Sequence, residues 1–109
     1  MSYEVEVKRT GRGGWAEYRE DGRGLRFNWD INAEGAEIYV PPSHKWNIYC
    51  EEQGALWATG RRQAILERVA QEYCRQRASK AKWRIEDHWI FISFEPYFIH
   101  RFLNKVFGS

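Results

Sequence analysis

His44, His88 and His100, with Cys50 and Cys74, are the side chains most able to act as metal ligands or nucleophiles. Their spacing supports neither role. No two histidines fall at i, i+3 or i, i+4, the separations that set two imidazoles on one helix face for a metal. Cys50 with His44 would supply a nucleophile and a base, but the sequence offers no third group to orient the base and no oxyanion donor. The two cysteines lack CxxC spacing and read as buried thiols rather than a disulfide framework. The run "GRGG" at 11–14 is too short and too closely flanked by strands for a phosphate loop; it reads as a flexible connection between the first two strands. His88 reads as a solvated residue in a turn. The expectation is therefore a protein without catalytic residues, cofactor or metal.

Arginines offer a second kind of chemistry. Arg61, Arg68 and Arg75 are spaced by seven and share one side of a helix predicted over 61–78, a basic row that would track nucleic-acid phosphates. Charge along the chain argues the other way. Residues 30–56 hold five acids against one lysine, a net of −4, and residues 61–82 hold seven bases against two acids, a net of +5, within a whole that is only +2. Such polarity favours internal pairing or a charged protein interface, and leaves nucleic-acid binding as the alternative.

The elements that must carry these residues are legible from periodicity. A chain of 109 residues, 43% hydrophobic and 17% aromatic, has the apolar surface for one globular domain and no room for a second core. The start "MSYEVEVKRT" has no apolar leader and no window approaches a membrane span, so the expected location is the cytoplasm. In "GWAEYREDGRGLRFNW", Asp21-Gly22 predicts a two-residue hairpin turn that sets Tyr18 opposite Leu25, Ala16 opposite Phe27 and Glu17 opposite Arg26. Beyond a loop at 32–35, "GAEIYV" is predicted to pair back with Ile38 facing Phe27 and Val40 facing Leu25. Tyr3, Val5 and Val7 alternate with Glu4 and Glu6 in a fourth strand. Ile65, Leu66, Val69, Ala70, Tyr73 and Cys74 form the apolar stripe of a helix laid across a sheet.

Pro41-Pro42 ends the strand region, and residues 43–59 form a long connection without a clear element, anchored by Trp46, Tyr49 and Trp57. After the helix, "KWRIEDHWIFISF" predicts a hairpin turning at Asp87-His88, with Ile85 opposite Ile90 and Trp83 opposite Ile92. Its other face, with Trp89 and Phe91, is too aromatic for plain solvent. Phe98, Ile99, Phe102, Leu103 and Val106 fall at helical spacing in the tail, which would cover that face or form a homodimer.

The runs "EDGRGLRFNWDI", "EIYVPPSHKW" and "GRRQAILERVAQE", in that order, resemble small bacterial immunity proteins that neutralise a secreted toxin. That resemblance implies tight binding to a toxin and no catalytic residues. The combined expectation is an α+β domain, with an antiparallel sheet of about four N-terminal strands and a C-terminal hairpin, one long helix on its apolar face and a short C-terminal helix. The expected function is a cytosolic, non-enzymatic protein-binding domain. Its contact residues are expected among Trp15, Tyr39, Trp46, Tyr49, Glu51, Glu52 and Trp57, since loops and surplus aromatic residues commonly carry recognition.

Overall fold

The computed structural model describes residues 2–94. Among these residues, β1 (Glu4–Thr10), β2 (Gly13–Glu20), β3 (Arg23–Ile31), β4 (Gly35–Tyr39), β5 (Lys82–Ile85) and β6 (Trp89–Ser93) form a single antiparallel sheet. Its order is β1-β2-β3-β4-β6-β5. The long connection from β4 to β5 contains α1 (Trp46–Glu52) and α2 (Arg62–Arg77), with 3₁₀ turns at Ser43–Lys45 and Leu56–Ala58. The chain thus leaves the growing sheet after four strands, crosses one face as helices, and returns at the far edge so that β6 closes against β4. The architecture is α+β. The predicted C-terminal helix, and with it the homodimer through that helix, lies outside the described residues.

Local chemistry sets the registers. Asp21 and Gly22 both adopt positive φ, 51° and 78°, the twist that a two-residue turn needs to match two right-twisted strands. Tyr18 accordingly faces Leu25, Ala16 faces Phe27 and Glu17 faces Arg26. The second hairpin also has its expected pairs, Ile85 with Ile90 and Trp83 with Ile92. Between β3 and β4 the expected register is corrected by two residues: Ile38 pairs with Trp29, not Phe27. The cause is a tighter turn than the predicted loop. The Asn32 side-chain oxygen accepts from the backbone N–H of Glu34 and of Gly35, both at 2.9 Å, and the Asn32 N–H donates to the Gly35 carbonyl at 3.0 Å. A shift of two keeps every side chain on its predicted face.

The core lies between α2, with α1 beside it, and one face of the sheet. Ala16, Tyr18, Leu25, Phe27, Trp29, Ile38, Ile90 and Ile92 supply the sheet side, and the whole predicted stripe of α2 is buried against them. Trp29 meets Tyr73 edge to face at 5.2 Å. The connection 43–59, left unassigned by periodicity, is ordered by three bonds. The Trp46 indole N–H donates to the Ala58 carbonyl at 2.9 Å, the Gly60 N–H to the Asn47 side chain at 2.9 Å, and the Tyr49 hydroxyl to the Arg26 carbonyl at 3.0 Å. Its elements are too short to show a helical period, which is why pattern reading missed them.

The "GRGG" segment is corrected as well. Only Gly11 and Arg12 turn, while Gly13 and Gly14 belong to β2. A Cβ on Gly14 would run into the Lys8 carbonyl and crowd the Arg9 Cα, all backbone that cannot swing aside. Gly14→Ala is therefore expected to destabilise the fold by about 3 kcal/mol, the upper range for overpacking. Gly22→Asn has open space around it but must keep a φ of 78° that favours glycine, and should cost about 1 kcal/mol, less than Gly14→Ala. Denaturant unfolding of the two variants checks both.

Candidate functional site

Glu20 ends β2 on the core face, two residues after Tyr18, and is 2% exposed. A carboxylate in that position requires partners, and three side chains supply them. Arg61 grips both carboxylate oxygens, at 3.1 and 2.5 Å. The Tyr18 hydroxyl donates to the same carboxylate. Arg68 donates to the Tyr18 hydroxyl at 2.7 Å and lies 3.4 Å from Glu20. Rings enclose the cluster: Tyr18 stacks with Tyr3 at 5.7 Å and with Trp57 at 6.2 Å. The Arg68 guanidinium sits over Tyr3 at 4.6 Å, and Arg23 sits over Trp57 at 5.1 Å. The Arg61 bonds hold the Glu20 carboxyl below its ordinary value, against the opposing effect of burial. Glu20 in turn raises Arg61.

This cluster changes the reading of the arginine row. Arg61 and Arg68 do not form a solvated back to the helix; their long side chains reach round to the end of β2 and close over Glu20. Arg75 pairs along its own helix with Glu72 at 2.8 Å. Each of the three carries a carboxylate partner, so the phosphate-track reading of this helix gains no support. Arg62, placed beside the apolar stripe, donates instead to the carbonyls of Pro41, Glu86 and Asp87, tying α2 to the second hairpin.

The expected contact residues divide between the two sides of the sheet. On the helical side, Trp46 is 2% exposed and belongs to the core. Tyr49 and Trp57 are half-buried, packed on Phe27 and on Tyr18 respectively. Glu51 and Glu52 are exposed at the end of α1. Trp15 and Tyr39 lie on the other, outer face, which no described helix crosses. In the β1–β2–β3 register Lys8 faces Trp15 and Trp15 faces Asn28; β4 next places Tyr39 beside Asn28 by one further step of its own register, and Tyr39 faces Trp89 of β6. Lys8, Trp15, Asn28, Tyr39 and Trp89 therefore form one row across the sheet. The Trp15 ring is half-buried beneath the Arg26 guanidinium, 3.9 Å from its centroid. Tyr39 is 41% exposed, and its hydroxyl donates to Asp30 at 3.0 Å, which raises its pKa. Farther along, Trp89 meets Phe91 edge to face at 5.6 Å, and Arg84 covers Phe91.

Sequence reasoning missed Asn28 and Glu20, although a signal for both was present. The register fixed by Asp21-Gly22 already sets Asn28 opposite Trp15, and strand alternation already puts Glu20 on the face of Ala16 and Tyr18. The thiols have no reactive surroundings. Cys50 is fully buried and Cys74 nearly so, and burial raises both, Cys74 to about 11, which disfavours the thiolate. His44, by contrast, is exposed. Among the described residues no group of three or more His, Cys, Asp or Glu is arranged to hold a metal ion, and no helix is long and apolar enough to cross a membrane.

Glu20→Gln should cost about 2 kcal/mol in unfolding free energy. The loss falls below the range for a fully buried pair because Arg61 and Arg68 keep 29% and 31% of their side-chain surface in water. The folded carboxyl titrates below its unfolded value near 4.5, so its contribution is full above that pH and is lost as pH falls through the folded value. The stability difference between wild type and Glu20→Gln should therefore be constant from neutral pH down to about 5 and shrink below it. Urea unfolding of both chains across that range measures it.

Comparison of the chain with protein-family models, with curated proteins and with solved structures finds no match.

Proposed function

We propose that this chain is a non-enzymatic protein-binding domain that meets its partner with the outer face of its sheet. The observation that carries the reading is the row of Trp15, Asn28 and Tyr39, large and polar side chains side by side on a face that the core does not use. Folding alone gives no reason to place rings there, whereas a partially exposed Trp and Tyr on rigid strands supply contact area at low entropic cost. The flanking charges are mixed. Glu6 and Glu17 pair with Arg19, and Arg26 pairs with Glu17, which makes a polar rim rather than a field of one sign. Inhibition of a bacterial toxin is one form that such binding takes, and it rests on the sequence resemblance. The exposed Ile48 and Leu56 on the helical side are single residues beside the charged end of α1 and give a weaker surface.

Trp15→Ala and Tyr39→Ala should each weaken partner binding by about 1 to 3 kcal/mol. Stability should fall by less than about 1 kcal/mol, the worth of an exposed guanidinium–ring contact. Affinity capture from the source cell with wild type and each variant as bait, followed by calorimetry with the captured protein, separates the two quantities. A partner whose affinity is unchanged by both substitutions would move the interface to another face.

A further inference from the structure

Ion pairing divides the arginines of this chain into two groups. Arg19, Arg23, Arg26, Arg61, Arg68, Arg75 and Arg84 each have a carboxylate within 4.0 Å. Arg9, Arg12, Arg62 and Arg77 have none among the described residues; Arg62 is taken up by three backbone carbonyls, whereas the other three are exposed. These three meet at one end of the sheet. β1 ends at Thr10, the chain turns through Gly11 and Arg12, and β2 begins at Gly13. The Arg9 guanidinium group donates back to the Gly11 carbonyl at 2.8 Å, which holds it beside Arg12. Arg9 faces Gly14, and Gly14 faces Trp29; with no side chain on Gly14, nothing stands between the arginine and the indole in that row. From above, the last turn of α2 lays the Arg77 guanidinium over the same indole at 5.6 Å. Both arginines also act on Tyr73, partly offsetting the burial that leaves its phenol raised to about 12. Lys80 follows in the turn after α2, and Lys8 stands exposed one residue before Arg9.

The negative end of the α2 dipole accounts for basic residues at its own last turn. It does not account for Arg9 and Arg12, which arrive from the sheet. A protein interface is expected to centre on apolar or aromatic contacts, yet the exposed large hydrophobic residues among those described, Tyr39, Ile48 and Leu56, lie on the outer face of β4 and on the α1 connection. Clustered cations without an apolar centre suit phosphate groups, which need only charge and N–H donors. We propose that this end of the sheet, through Arg9, Arg12 and Arg77, binds the phosphate backbone of nucleic acid without sequence preference. The surface is separate from the outer aromatic face and from the helix row Arg61, Arg68 and Arg75.

The test is fluorescence anisotropy with labelled single-stranded and duplex DNA and RNA over a range of salt. Three phosphate contacts give a slope of log affinity against log salt of about −2 to −3. Arg12→Glu with Arg77→Glu should weaken binding by about tenfold or more and flatten the slope by about two. Arg9→Glu with Arg12→Glu, which leaves the Arg77–Trp29 contact intact, should do the same and guards against a folding defect in the first pair. Arg75→Glu should have little effect. Absence of binding to every nucleic acid at low salt overturns the proposal, as does binding that neither double variant weakens. Equal affinity for polyglutamate would overturn it in favour of an acidic protein partner.

Discussion

The buried carboxylate of Glu20 is the constraint on which the arrangement of this molecule turns. It lies at the end of β2 where the chain turns into β3, and it is gripped by Arg61, which immediately precedes α2, and by Arg68, nearly two turns farther on. The ion pair thereby fixes the helix in both position and rotation against the sheet. An apolar stripe alone would hold α2 to the core but would allow it to slide, since burial energy is not directional. Removing one partner leaves a charge in the interior, and that cost makes the alignment specific. Tyr18 couples the cluster to the core, because its ring is packed between Tyr3 and Trp57 while its hydroxyl joins the ion pair.

With α2 held in this way, one face of the sheet is fully committed. The long connection follows: Trp46, Asn47 and Tyr49 tie α1 to the Leu56–Ala58 turn, to Gly60 ahead of α2 and to β3, and Arg62 ties the start of α2 to the second hairpin through two carbonyls and to Pro41 through a third. The aromatic residues on this side are therefore largely spent on folding. On the other face no described helix covers the rings, and the division separates Trp15 and Tyr39 from Trp46 although all are large rings in one small domain.

Much of the fold was legible in the sequence, because Asp21-Gly22 dictates a turn and strand alternation then assigns faces over a dozen residues. The α2 stripe was equally plain, all six of its expected residues being buried. The β3–β4 register was not, since it depends on the Asn32 side chain closing the turn, a bond that periodicity does not encode. The Arg61 and Arg68 partners were hidden for a related reason: helical spacing gives the direction of a Cα–Cβ bond, not how far a guanidinium reaches. Of the candidate site, Trp15 and Tyr39 were placed on the correct face, but their adjacency through Asn28 required strand order. Trp46, Tyr49 and Trp57 could not be sorted, because a connection of short helical turns carries no repeating pattern.

The proposed partner-binding surface is the outer face. Site-specific photo-crosslinking tests it most directly. A photoreactive amino acid is placed at Asn28, between Trp15 and Tyr39, or at Gln53, exposed beyond α1 on the helical side. Irradiation in the source cell should give a covalent adduct to one protein from position 28 and none from position 53. An adduct from position 53 with none from position 28 would contradict the account and place recognition on the helical side.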